Sequence, residues 1–115
     1  MRTVSLAGIS AYLLLAPAHA AETIEAIGAE KCGGGQSAYA VDFLAPDDAS
    51  LEARAKARVG SRDSPYQELQ TLSLDGRPCP EGRCSFQAKK GQTYKIVAEP
   101  QGPRGNEVCV SVGRP

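Results

Sequence analysis

At 115 residues, with 13 basic and 13 acidic side chains, the chain has the length of one small domain and no net charge. Nucleic acid and anionic membrane surfaces are held by an excess of cations that this balance does not supply, and two independent cores do not fit in the length. With two Phe, four Tyr and no Trp, the core is thin, and a thin core gains from covalent staples.

The opening MRTVSLAGISAYLLLAPAHA carries Arg2, an apolar stretch from Val4 to Leu15 and the small-x-small sequence Ala18-His19-Ala20. This is the pattern of a secretory signal peptide over residues 1–20, with cleavage after Ala20 and a single mature domain over 21–115. The apolar stretch is short for a hydrocarbon core of ~30 Å. The mature chain is therefore expected without a membrane span, in the periplasm or outside the cell. Cleavage also removes His19, the one histidine. Without it there is no Ser-His or Cys-His nucleophile and no general base titrating near neutrality, so catalysis is not expected.

Seven short strands are predicted: Thr23–Ile27, Ala38–Leu44, Leu51–Val59, Tyr66–Leu74, Cys84–Ala88, Thr93–Glu99 and Val108–Val112. Turn compositions separate them, among them Cys32-Gly33-Gly34-Gly35, Ala45-Pro46-Asp47-Asp48, Gly60 to Pro65, Asp75-Gly76, Lys89-Lys90-Gly91 and Pro100 to Gly105. Short strands at this spacing make an all-β, antiparallel β-sandwich, jelly-roll or immunoglobulin-like, stapled by disulfides. The Gly33–Gly35 run reads as a flexible connection, since it lacks the GK[ST] ending of a phosphate loop.

Leu51–Val59 is the ambiguous segment. Strict alternation puts Leu51, Ala53, Ala55, Ala57 and Val59 on one face and Glu52, Arg54, Lys56 and Arg58 on the other, which is the period of a strand. The residue types are good helix formers, Asp48 or Ser50 can cap, and Glu52 with Lys56 is a favourable i,i+4 pair. A helix here makes the fold α+β; the alternation favours the strand.

Cys32, Cys79, Cys84 and Cys109 all follow the cleavage site, and an even count in an oxidising compartment reads as two disulfides. Three pairings are open. The short loop CPEGRC, with Pro80 and Gly82, favours Cys79 with Cys84 and leaves Cys32 for Cys109. A four-thiolate zinc site is the rival, but the closely spaced Cys-x-x-Cys knuckles it uses are absent. Calcium has candidate oxygens on Asp42, Asp47, Asp48 and Asp75, without the DxDxDG loop that organises them. No metal or cofactor is expected.

The stretch SAYAVDFLAPDDASLEARAKARV, then SPYQELQTLSLDG, FQAKKGQTYKIVAEP and VCVSV, resembles the bacterial pre-peptidase C-terminal β-sandwich domains over Ser37 to Val112. The matching features are Tyr66–Leu74 before Asp75-Gly76, then Phe86, then Gly91-Gln92-Thr93-Tyr94 leading into a strand. The chain differs by carrying cysteines where that family has an acidic run after the Asp-Gly turn. The resemblance implies a jelly-roll-like accessory or binding module without catalytic residues.

Two functions follow as expectations. One is a non-enzymatic extracytoplasmic module that recognises a protein or glycan, with Arg54, Lys56 and Arg58 as candidate contacts. The other is an inhibitor of a hydrolase that presents the Cys79–Cys84 loop with Arg83 at its tip; a preorganised loop loses little entropy on binding. Tyr39, Tyr66 and Tyr94 lie within or beside predicted strands and are expected in the core or at a corner, with Tyr94 holding a corner by its hydroxyl.

Overall fold

The structure is a computed structural model that describes residues 22–34, 38–58, 63–99 and 107–115. The predicted signal peptide, Val59, Arg62, Gly35 and the Pro100 to Gly105 loop lie outside the described residues. The described chain is all β: β1 (Glu22–Ile24), β2 (Glu30–Gly34), β3 (Tyr39–Leu44), β4 (Ala49–Arg58), β5 (Gln67–Glu68), β6 (Leu72–Leu74), β7 (Arg77–Pro78), β8 (Arg83–Ala88), β9 (Thr93–Ala98) and β10 (Glu107–Gly113). A 3-10 turn at Pro80–Gly82 links β7 to β8.

Two sheets face each other. The first has the order β1-β3-β9-β6-β7; the second runs β2-β10-β4-β5, with β8 also paired to β4. All pairs are antiparallel except β1 with β3. Parallel neighbours need a crossover connection, and here the chain makes it by crossing to the second sheet as β2 and returning. The ten residues of β4 organise the second sheet. β10 lies along one edge of β4, and β8 (opposite Ala49–Arg54) and β5 (opposite Lys56–Ala57) follow one another along the other.

β4 settles the ambiguous segment as a strand. Leu51, Ala53, Ala55 and Ala57 are buried on its inner side while the alternate positions face out. Its helix-forming residues are overruled by packing, because only the extended form puts all four on the core side. The three alanines leave a shallow inner surface, filled by Val108, Val110 and Val112 of β10 beside them and by Phe43, Ile96, Ile24 and Leu72 of the facing sheet. At one end of the core Phe43, Phe86 and Tyr94 cluster, with ring centroids 5.0–6.5 Å apart. The Tyr94 hydroxyl accepts the Lys89 N–H at 2.9 Å and donates to Gln92, so it holds the β8–β9 turn as the sequence suggested.

Two predicted features are corrected. Cys32-Gly33-Gly34 is not a turn but three of the five residues of β2, paired to β10. Glycine at 33 is required by contact: a Cβ there would lie 2.4 Å from Cε1 of Tyr39, whose ring packs from β3 with its hydroxyl bonded to Glu22. The single strand Tyr66–Leu74 is two, with β5 in the second sheet and β6 in the first; Leu69 to Thr71 carry the chain across. Leu69 N–H still bonds Ala55, and the Glu99 N–H bonds Thr71 on the far side of that crossing. The Asp75-Gly76 turn joins β6 to β7 with φ of +50° and +86°, the two left-handed residues of a type I′ hairpin.

Both disulfides form as paired above, and they staple different things. Cys79 follows β7 in the first sheet and Cys84 lies in β8 of the second, so this bridge closes the crossing between sheets. Cys32 and Cys109 face each other across β2 and β10, with Cα atoms 4.0 Å apart, and tie an edge strand into the second sheet. A pair of stapling disulfides is consistent with an oxidising compartment. Among the described residues no helix is long and apolar enough to cross a membrane.

Candidate functional site

Strand registers bring all four sequence-derived cations to one surface. On β4 Arg54, Lys56 and Arg58 alternate with the buried alanines and therefore point to the outer side of the second sheet. Arg83, the first residue of β8, pairs with Arg54 and shares its face. Across the sheet the rows read Glu30, Ser111, Arg54, Arg83 and, one step along, Cys32, Cys109, Lys56, Glu68; Glu107 stands opposite Arg58.

Acids are interleaved with these cations. Arg54 meets Glu52 at 2.8 Å, Lys56 meets Glu30 at 3.4 Å, Arg83 meets Glu68 at 3.5 Å, and Arg58 meets Glu107. Each exposed pair adds at most about 1 kcal/mol to stability. Their larger effect is on the field: the face carries charges of both signs and is close to neutral in sum. A polyanion drawn by net charge finds little attraction here.

Tyr66 stands in the middle of this lattice and is not in the core. It is the single large apolar side chain left exposed among the described residues, at 37 %. Lys56 Nζ and Arg58 Cζ each lie 4.6 Å from the ring centroid, within the range of cation–π attraction. Its hydroxyl donates to the Glu107 carboxylate oxygen that also receives Arg58. The hydrogen bond to Glu107 raises the Tyr66 phenol above its ordinary pKa. The same bond, with the Arg58 guanidinium, holds the Glu107 carboxyl below the usual carboxylate range. Beside the ring a groove of about 250 Å³ is lined by Glu30, Arg54, Lys56, Glu68 and Ser111 among others.

The other sequence candidates are placed differently. Arg83 is not at the apex of the Cys79–Cys84 loop; Glu81, at φ +54°, occupies the turn, and the Arg83 guanidinium is engaged by Glu68 on the sheet face. The four cysteines do not converge. Cys84 shares the inner side of the second sheet with its partner Ala53, whereas Cys109 shares the outer side with Lys56. Asp75 accepts the Lys95 N–H and Asp48 the Lys90 N–H, both at 2.8 Å, so these carboxylates brace turns. Compared with protein-family models, with curated proteins and with solved structures, the chain matches none.

Proposed function

We propose that this chain is a non-enzymatic extracytoplasmic binding module whose contact surface is the outer face of the second sheet, centred on Tyr66. The observation that carries the reading is the exposed Tyr66 ring seated between Lys56 and Arg58 in a lattice of paired charges. Tyrosine and arginine dominate the energetic centres of protein interfaces, because they combine large contact area with polar tips. The ion pairs hold these side chains in place before a partner arrives, which lowers the entropy lost on binding.

The partner is a protein with interleaved charges of its own. A neutral lattice rewards a surface that places acid against cation and cation against acid, and rejects surfaces in the wrong register. The predicted signal peptide and the two disulfides support action in the periplasm or outside the cell. The resemblance to pre-peptidase C-terminal domains points to the same kind of accessory role.

Affinity capture from envelope extract and culture fluid tests the reading, with the mature protein and its Arg54→Glu variant as parallel baits. One protein species retained by the first and lost by the second supports it. Retention of glycan alone, or equal retention by both baits, rejects it.

A further inference from the structure

Glu30, Cys32 and Cys109 form a cluster on the outer face of the second sheet, of which the binding reading uses Glu30 alone, through its ion pair with Lys56. Glu30 stands two residues before Cys32 on the same side of β2, and Cys32 faces Cys109 on β10. One carboxylate oxygen and the two sulfurs lie within 4.8 Å of one another. In the oxidised protein the sulfurs are bonded to each other, and neither is a ligand.

We propose that reduction of the Cys32–Cys109 bridge converts these three groups into a site for a thiophilic dication such as Zn²⁺, with solvent as the fourth ligand. Around tetrahedral zinc, with Zn–S of about 2.3 Å and Zn–O of about 2.1 Å, ligand atoms stand roughly 3.5–4 Å apart. Freed sulfurs on facing residues 4.0 Å apart at Cα reach that spacing by side-chain rotation alone. The exposed Glu30 carboxylate closes the third corner.

The reductant is a dithiol. Its thiolate attacks Sγ of the exposed Cys32, the S–S bond breaks, and Cys109 leaves as a thiolate that takes up a proton. The second thiol of the reductant then displaces the mixed disulfide, so the reductant departs as its own disulfide and two protein thiols remain. Metal binding releases the proton of each thiol. Each bridge has one buried cysteine, Cys109 here and Cys84 in the other, so access is set by the partner: Cys32 is exposed, whereas Cys79 is half-buried and packs against the core.

Charge also fits. Lys56 is the cross-strand neighbour of Cys109, and its ammonium lies 3.4 Å from Glu30. Two thiolates and one carboxylate against a dication and one ammonium sum to zero.

The test reduces the mature protein with a dithiol, removes the reductant under anaerobic conditions and titrates Cd²⁺, reading the thiolate-to-cadmium charge-transfer absorption. Alkylation with mass spectrometry maps the open cysteines, and circular dichroism reports the fold. The expected result is one Cd²⁺ per chain on reduced, folded protein with Cys32 and Cys109 open, and none on oxidised protein. Glu30→Gln is expected to bind at least tenfold more weakly with the same absorption band, and Cys79→Ser with Cys84→Ser to bind as the parent does. The proposal is overturned by absence of the band, by binding that survives Cys32→Ser with Cys109→Ser, by opening of Cys79–Cys84 first, or by binding that accompanies loss of the β signal and ignores Glu30.

Discussion

Gly82→Ala is the substitution whose cost is most directly set by the geometry. Gly82 is buried at φ +72° in the crossing between sheets, and a Cβ there would lie 2.1 Å from the Leu69 carbonyl oxygen and 2.8 Å from Gln70 Cα. Those atoms belong to the backbone that carries β5 into β6, so they cannot swing aside as a side-chain tip does. Left-handed backbone in an L-residue costs about 1–2 kcal/mol. Forcing a methyl into packed surroundings adds about 1–3 kcal/mol, for a total of roughly 2–5 kcal/mol. That is a large share of the ~5–15 kcal/mol that holds a small domain folded. Gly76→Ala is the control: φ is +86°, but nothing lies within 4 Å of its added Cβ, so only the backbone strain of about 1–2 kcal/mol applies. Urea unfolding of the mature proteins, followed by far-ultraviolet circular dichroism, gives both values. If Gly82→Ala loses no more stability than Gly76→Ala, the close approach of the crossing to Leu69 and Gln70 is wrong.

Three further outcomes follow from the same geometry. Replacing Cys32 and Cys109 by alanine opens a separation of 77 residues, for which the chain-entropy relation gives about 4.5 kcal/mol; a loss below about 2 kcal/mol in urea would place the staple outside the chain-entropy account. Gly33→Ala pushes a methyl against the Tyr39 ring and should cost about 1–3 kcal/mol, with the cost sharply reduced in a Tyr39→Ala background; equal cost in both backgrounds contradicts the contact. Because Glu107 is held below its usual range by Tyr66 and Arg58, its contribution is present above the ordinary carboxylate value of about 4.3 and is lost as pH falls through the lower folded value. The raised Tyr66 phenol works in the other direction: its contribution is present below about 10 and is lost as pH climbs through the higher folded value. Glu107→Gln should therefore flatten the acid side of the stability profile and bring tyrosinate absorption to lower pH. An unchanged profile on both sides contradicts the Tyr66–Glu107 bond.

How far the sequence could be read depended on the range of the interactions. The alternation in Leu51–Val59, Thr93–Glu99 and Val108–Val112 is local, and β4, β9 and β10 appear where it places them. β2 was hidden because Cys-Gly-Gly has the composition of a loop. The reason for a glycine in that strand is the Tyr39 ring, which reaches it from the opposite sheet. β5 and β6 merge in the sequence because Leu69-Gln70-Thr71 changes sheets without a Gly or Pro to mark the place.

The candidate face was half legible. Arg54, Lys56 and Arg58 share a side by strand period alone, but Arg83 joins them only through the β4–β8 register. The acids that neutralise them come from β2, β4, β5 and β10, and no local pattern announces that Glu30, Glu68 and Glu107 will meet those cations. Tyr66 was expected in the core because it borders a strand. Its outward position follows from β5 lying at the edge of the second sheet, where one more residue along the register brings the ring over Arg58 and toward Glu107.

The most direct test of the binding face is the affinity of the captured partner for three proteins: the parent, Tyr66→Ala, and Lys95→Ala on the outer side of the first sheet. With Tyr66 at the energetic centre, its truncation should cost about 2 kcal/mol or more, roughly a thirtyfold weaker Kd. Lys95→Ala should bind as the parent does. A Tyr66→Ala protein of parental affinity, with binding lost instead in Lys95→Ala, would place the contact surface on the other sheet and contradict the account.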